Sequence, residues 1–172
     1  MSSRASFLYV ILLLITFQTG HTTPDRTQLV VWAHEAIIAA YTFNYKTFTQ
    51  DQRGIARYFT APGWISFNRA LTDSKLPEVV QKNAYDVTAV ATQPPRLITL
   101  DPTHWQVIMP ILVVYKNPQF QQQQNLRVIL SFTQAPPNRG VRGFNASSLQ
   151  SVIITPPCHC PVEEEKQTTA SP

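Results

Sequence analysis

At 172 residues, 44% of them hydrophobic and 14% charged, the chain has room for one ordinary domain with a self-sufficient core plus ends, and it is too apolar to stay disordered throughout. The net charge of +4 comes from basic residues scattered along the chain, with no run of Lys or Arg, so a nucleic-acid footprint is not expected. Fourteen prolines against five glycines fall mostly between periodic segments and cut the chain into short elements.

The first segment differs in kind from the rest. Arg4 supplies a short positive start, Phe7 to Phe17 is apolar except for Thr16, and Gln18 to Thr23 is polar and small, with Gly20 and Thr22 as cleavage flanks. Charge, apolar run and small residues in that order are the pattern of a secretory signal peptide, although no A-x-A site is present. A retained membrane anchor is the rival reading. Eleven apolar residues reach only about 16 Å at 1.5 Å each, short of the roughly 30 Å hydrocarbon core. Residues 1–22 are thus expected to be a signal peptide or a short anchor. The remainder is expected to be periplasmic or secreted, held at the inner membrane if the segment is retained.

From there the periodicity is helical. Asp25 or Thr27 caps a helix predicted to run to about Tyr45, with Leu29, Ala33, Ala36, Ile37, Ala40, Tyr41 and Asn44 along one face and Trp32, Ile38 and Phe43 widening it. A second helical stretch spans Asp51 to Phe59. A third starts after Thr60, a good cap with Pro62 in the first turn, and turns Trp64, Phe67 and Leu71 toward the core. Leu76 to Lys82 is a shorter helix.

Near Ala84 the rhythm changes to alternation. Strands are predicted over Tyr85–Ala91, Arg96–Leu100, His104–Tyr115, Leu126–Thr133 and Leu149–Thr155. Pro110, inside the long third strand, argues for an edge position or a bulge. Pro118 to Asn125, with four consecutive glutamines, is expected to be a polar hairpin loop, and Ala135 to Ser148 a long surface connection. Helices first and strands afterwards, joined by short turns, is an α+β pattern with an antiparallel sheet. A bent sheet curling around the first helix buries both apolar faces, which is the geometry of the NTF2-like cone. The domain is expected over residues 24–157, with residues 158–172 a disordered polar tail.

Four blocks resemble the DotI/IcmL family of the Dot/Icm type IVB secretion system: AAYTFNY (Ala39 to Tyr45), YFTAPGWISFNRAL (Tyr58 to Leu71), VTAVAT (Val87 to Thr92) and QVIMPILVVYK (Gln106 to Lys116). LRVIL (Leu126 to Leu130) and RGVRGF (Arg139 to Phe144) continue the likeness more weakly, so that it covers roughly Leu29 to Thr155. The resemblance implies a periplasmic domain of the TraM and VirB8 type, a cone-like α+β fold. It further implies a non-enzymatic scaffold that assembles with itself and with other secretion-system subunits, with no cofactor and no catalytic residues. Family members carry a cytoplasmic segment and a full membrane helix before this domain, whereas here a leader of barely twenty residues precedes it.

His34 and Glu35 lie mid-helix with no second metal-ligand pair at suitable spacing, and are expected to be surface or packing residues. Asp86, Asp101 and His104 lie in the strand half. Only if a cone directed them into one pocket would they support the alternative, a freestanding exported NTF2-like ligand-binding protein or enzyme. Cys158, His159 and Cys160 are weak metal candidates, because three adjacent ligands cannot enclose an ion alone. Arg139, Arg142 and Phe144, in a glycine-containing connection, are the candidate partner-binding residues, since arginine and aromatics are frequent interface anchors. Asn145-Ala146-Ser147 matches a glycosylation acceptor in pattern only, and Trp64 with Phe67 is expected in the core.

Overall fold

The computed structural model of the chain describes residues 24–154. The leader 1–22, the tail 158–172 and its Cys158, His159 and Cys160 lie outside them. Among the described residues are four helices: α1 (Arg26–Ala40), α2 (Phe48–Ala56), α3 (Ala61–Asp73) and α4 (Leu76–Lys82). A two-residue strand β1 (Phe43–Asn44) sits between the first two, and β2 (Asp86–Ala91), β3 (Arg96–Asp101), β4 (His104–Lys116), β5 (Gln121–Gln134) and β6 (Phe144–Ile153) follow α4. The helices-then-strands order is the α+β arrangement expected.

Local chemistry starts and stops each helix. The Asp25 side chain accepts a hydrogen bond from the Thr27 N–H at 3.2 Å and opens α1. The Thr60 hydroxyl accepts from the Gly63 N–H at 3.1 Å and opens α3, whose Pro62 stands where no N–H is missed. Expected to run to Tyr45, α1 instead ends at Ala40. Phe43 is needed as a buried strand residue paired with Val87. The Asp51 carboxylate accepts from the Asn44 N–H and the Thr47 hydroxyl, which fixes the turn, and α2 spans Phe48–Ala56 where Asp51 to Phe59 was expected.

All strands pair antiparallel in the order β1-β2-β4-β5-β6, with β3 also on β4. The long β4 is the axis. Its second half pairs with β2 (Ala91 opposite Ile111) and its first half with β3 (Arg96 opposite Ile108), both on one edge. Pro110 is therefore in a central strand, not at an edge. Its carbonyl accepts from the Thr92 N–H at 3.0 Å, so its missing donor faces the gap where the ladder passes from β2 to β3. A proline fits a central strand at the one place where no ladder bond is required of it.

The sheet's inner face is built from alternate residues, Trp105, Val107, Met109, Ile111 and Val113 on β4 and Leu126, Val128, Leu130 and Phe132 on β5, all buried. Against them α1 lays Leu29, Trp32, Ala33, Ala36, Ile37 and Ala40, and the three alanines let the helix approach closely. Phe67 is buried and Trp64 packs against the core from α3, as expected. Each large side chain so covered contributes about 2–3 kcal/mol of transfer free energy.

Two stretches expected to be loops are strand. The glutamines belong to β5, which pairs with β4 from Gln121 opposite Lys116 onward. The hairpin turn is only Asn117 to Phe120, closed by the Asn117 side chain accepting from the Gln119 and Phe120 N–H groups. β6 starts at Phe144, where Phe144, Asn145 and Ala146 are buried in succession because a register shift at Ser131/Phe132 breaks the alternation.

At the end of α1 the Tyr41 phenol has its pKa raised from 10.0 to about 12, chiefly by burial, with the nearby Ser151 hydroxyl offsetting part of the effect. In the unfolded chain it ionises at the ordinary value, so the fold binds one more proton between pH 10 and 12. Stability is predicted to be intact below pH 10 and to fall as pH rises toward 12. Urea melts at stepped alkaline pH check this: Tyr41→Phe should flatten that decline, and an unchanged slope would contradict it.

Candidate interaction site

The connection between β5 and β6 is tied down rather than loose. Ala135 N–H donates to the Gly143 carbonyl at 2.8 Å, and Val141 and Phe144 exchange backbone hydrogen bonds at 3.1 and 3.2 Å. The Trp32 indole N–H donates to the Val141 carbonyl at 2.8 Å, fixing the loop to α1. Gly140 has φ +72°, and any Cβ there would run into the Phe144 carbonyl and the Asn145 Oδ1, so the turn requires glycine.

The three candidate partner-binding residues part company here. Phe144 is 3% exposed and packs its ring against Trp32, Trp105 and Phe132, so it is a core residue and not a surface anchor. Arg142 stays at the surface and forms an ion pair with Glu35 of α1. Arg139 is exposed and lines a cleft of about 540 Å³ between this loop and the α2–α3 junction, together with Arg57, Thr60 and Asn145. Asn145 is 8% exposed inside β6, so the glycosylation pattern it heads is closed to an enzyme that needs the side chain free. Arg57 and Asn145 had no signal in the sequence pointing to that cleft, because α2 and β6 meet only in three dimensions.

His34 and Glu35 border a second groove, about 740 Å³ between α1 and α2, beside Asp51 and Tyr58. Among the described residues no three His, Cys, Asp or Glu side chains cluster in a way that suits a metal ion. Asp101 and His104 do meet, at 2.9 Å across the β3–β4 turn, but both are about half exposed and face solvent. The Thr103 backbone N–H, then the His104 ring, hold the Asp101 carboxyl at about 2, below its ordinary 3.8. That lowered value supports the fold above pH 4, and the support is lost as pH falls toward 2. A carboxyl titration followed by NMR should place the Asp101 midpoint near 2, and His104→Ala should raise it. A midpoint near 4 would contradict the contact.

Asp86 is at the other end of β4, opposite Lys116, and accepts from the Asn44 side chain. Twelve residues of strand, about 40 Å, separate that end from His104. Asp86, Asp101 and His104 therefore do not converge, and α1 fills the concave side of the sheet on which an enclosed pocket was to be sought.

With the fold and these sites in view, the likeness to known proteins is direct. Residues 13–149 match the family described as a type IVb secretion system, inner-membrane complex component, DotI/IcmL. The chain belongs to the DotI/IcmL family. It is similar to the crystal structure of an IcmL-like type IV secretion system protein from Legionella pneumophila, at 68% identity and a TM-score of 0.77, over 81% of this chain and 100% of that one. The periplasmic domain of DotI is 31% identical, with a TM-score of 0.72 over 77% of this chain and 99% of that domain. A periplasmic fragment of TraM, 14% identical with a TM-score of 0.66 over 76% of this chain and 98% of that fragment, shares the fold. So does VirB8 of Agrobacterium tumefaciens, 10% identical at a TM-score of 0.53 over 78% of this chain and 97% of that one. No curated protein matches the sequence. Among the described residues no helix of this IcmL-like chain is long and apolar enough to cross a membrane.

Proposed function

We propose that the chain is a non-enzymatic, periplasmic interaction module of a type IVB secretion apparatus. In this reading it assembles with itself and with other subunits, and its N-terminal segment either delivers it across the inner membrane or keeps it there. The observation that carries the reading is the 31% identity to the periplasmic domain of DotI across nearly that whole domain.

The distribution of apolar surface supports it. α1 packs its apolar stripe onto the inner face of the sheet, and the two together form the core. The opposite face of the sheet carries Val90 and Val152, each about half exposed, with Ile108, Leu112 and Ile129 partly covered on the strands between them. Apolar surface of this kind marks a place where another protein is met. Arg139 and Arg142 then serve as polar contacts at the rim of that assembly. The rival reading as a freestanding ligand-binding protein or enzyme gains nothing from Asp86, Asp101 and His104, because the Asp101–His104 pair faces solvent and Asp86 lies at the other end of β4.

An in-frame deletion in the native host tests the reading. It should lower effector export through the type IVB apparatus, and the intact chain supplied in trans should restore it. Export at the parental level after clean deletion would overturn the proposal.

A further inference from the structure

The outer edge of β6 is covered along its first half and open along its second. The Ala146 N–H donates to the Tyr58 carbonyl at 2.7 Å, and the Ala146 carbonyl accepts from the Thr60 N–H at 2.9 Å. α3 lies against the same stretch, with Gly63 close to the Ala146 and Ser147 carbonyls. From Leu149 to Ile153 the strand has β5 on one side and, among the described residues, no backbone partner on the other. The Ile154 N–H donates to the Asn125 carbonyl at 3.0 Å, and the ladder alternates from there. Val152 and Gln150 thus turn their backbone groups toward β5, opposite Arg127 and Ile129, while Leu149, Ser151 and Ile153 turn theirs outward.

A row of outward N–H and C=O groups is a template for another strand, and natural edges are usually blunted by lysine, proline or a bulge. β6 has no charged residue and no proline, and its bulge lies opposite Ser131 and Phe132, in the covered half. Its open end is apolar as well. Ile153 is 70% exposed and Val152 51%.

This stretch is complementary to itself. A two-fold axis through Ser151 sets Leu149 opposite Ile153 of a second copy, Ser151 opposite Ser151, and Gln150 opposite Val152. In that register every outward N–H meets an outward C=O, giving about six hydrogen bonds. On the inner side, each exposed Ile153 is laid against the half-buried Leu149 of the other copy. On the outer side, the two Val152 side chains meet on the diagonal, which joins the two apolar sheet faces into one. No like charges oppose one another, because the strand has none. The chain's own continuation suits this edge poorly. Pro156, Pro157 and Pro161 have no N–H to give, and Glu163, Glu164 and Glu165 would lie against apolar side chains. In the two-fold pair those first two prolines fall just where a longer strand would run into α3.

We infer that the open half of β6 pairs antiparallel with β6 of a second copy of this chain, so that two sheets become one across a two-fold axis. The inference rests on the self-assembly proposed above and names its surface. It is tested on the purified chain, so a monomer would overturn it while leaving the outcome of the deletion in the host to decide the secretion role separately.

Sedimentation of the exported chain over a concentration series should show a monomer–dimer equilibrium with a Kd between about 10 µM and 1 mM, as suits a small interface. Ile153→Lys charges an exposed edge side chain, and should weaken the dimer about tenfold or more with the thermal melt unchanged. Ser151→Cys, made together with Cys158→Ser and Cys160→Ser, should be joined into a dimer by a short bis-maleimide, since residues directly opposite in such a pair have Cα atoms about 5.5 Å apart. Val90→Cys in the same background, about as exposed but on β2 across the sheet, should not be joined. Hydrogen exchange on the unsubstituted chain needs no variant to fold. The Ser151 and Ile153 N–H groups should exchange more slowly as concentration rises, and the Val152 N–H, already in the β5 ladder, should not change. A chain that stays monomeric at about 1 mM, a dimer that Ile153→Lys leaves intact, or exchange at Ser151 that ignores concentration would overturn the inference. Protection of Ser151 at every concentration would assign the edge to the chain's own tail and overturn it equally.

Discussion

Trp32→Ala is expected to destabilise the fold by about 4 kcal/mol, the largest effect of any single truncation we foresee. Trp32 is 1% exposed, with its ring 4.9 Å from Phe132, 5.6 Å from Phe144 and 6.0 Å from Tyr58. Removing it opens a cavity at the meeting point of α1, β5 and β6, which cannot close without moving the sheet. It also removes one of the two hydrogen bonds to the Val141 carbonyl, that from the indole N–H at 2.8 Å, and leaves only that from the Phe144 N–H. Against a total stability typically of about 5–15 kcal/mol, the variant should be near unfolding. Trp32→Phe keeps most of the ring and loses the hydrogen bond, and should cost about 1–2 kcal/mol. Chemical denaturation followed by far-UV circular dichroism measures both. A cost below about 1 kcal/mol for the alanine variant would mean that α1 does not plug the sheet.

The second prediction is a reversal of sign between two helical glycines. Gly→Ala inside a helix ordinarily gains up to about 1 kcal/mol. At Gly54 of α2 nothing lies within 4 Å of an added Cβ, so Gly54→Ala should show that gain. At Gly63 of α3 the added carbon would stand 2.7 Å from the Ala146 carbonyl oxygen, 2.8 Å from that of Ser147 and 3.0 Å from the Thr60 hydroxyl. Two of these are backbone atoms of β6, held by the ladder to β5 and by hydrogen bonds between Ala146 and the Tyr58–Thr60 segment. They cannot yield cheaply. Gly63→Ala should therefore lose about 2 kcal/mol through overpacking, despite its better helix propensity. Paired thermal melts decide the matter, and a gain at Gly63 would show that α3 does not lie against β6 this closely.

How much of this was legible beforehand depends on whether a residue's neighbours are near in sequence. The buried stripe of α1 was visible because Leu29, Ala33, Ala36, Ile37 and Ala40 repeat at helical spacing, and the inner face of β5 because Leu126, Val128, Leu130 and Phe132 recur at every second position. The glutamines of β5 were missed because four polar residues in a row carry no alternation to read, and their place in the strand comes from pairing with Val113 to Lys116 of β4 at the turn end of the hairpin. The start of β6 was missed because its bulge buries three residues in succession. Pro110 drew attention to an irregularity, but its location depends on two strands sharing one edge of β4, a fact of topology that no local pattern encodes.

The candidate site was less legible than the fold for the same reason. Arg139 and Arg142 stood out as arginines in a glycine-containing loop, yet the partner of Arg142, Glu35, is 107 residues away. Phe144 looked like an exposed aromatic next to arginines, and only the aromatic cluster around Trp32 shows that it is core. Arg57 and Asn145 had nothing local to recommend them. The family likeness, by contrast, was readable from ordered blocks along the chain, because those blocks encode the end of α1 with β1, α3, β2 and β4.

The central claim, that this domain works as part of a secretion assembly, meets its most direct test in the native host. The full chain, tagged at its C-terminus and expressed from its own locus, should be recovered from gently solubilised envelopes together with inner-membrane subunits of the type IVB apparatus, as judged by mass spectrometry against an untagged control. Recovery of the chain from the cytosol, or from the envelope without any secretion subunit above the control, would contradict it.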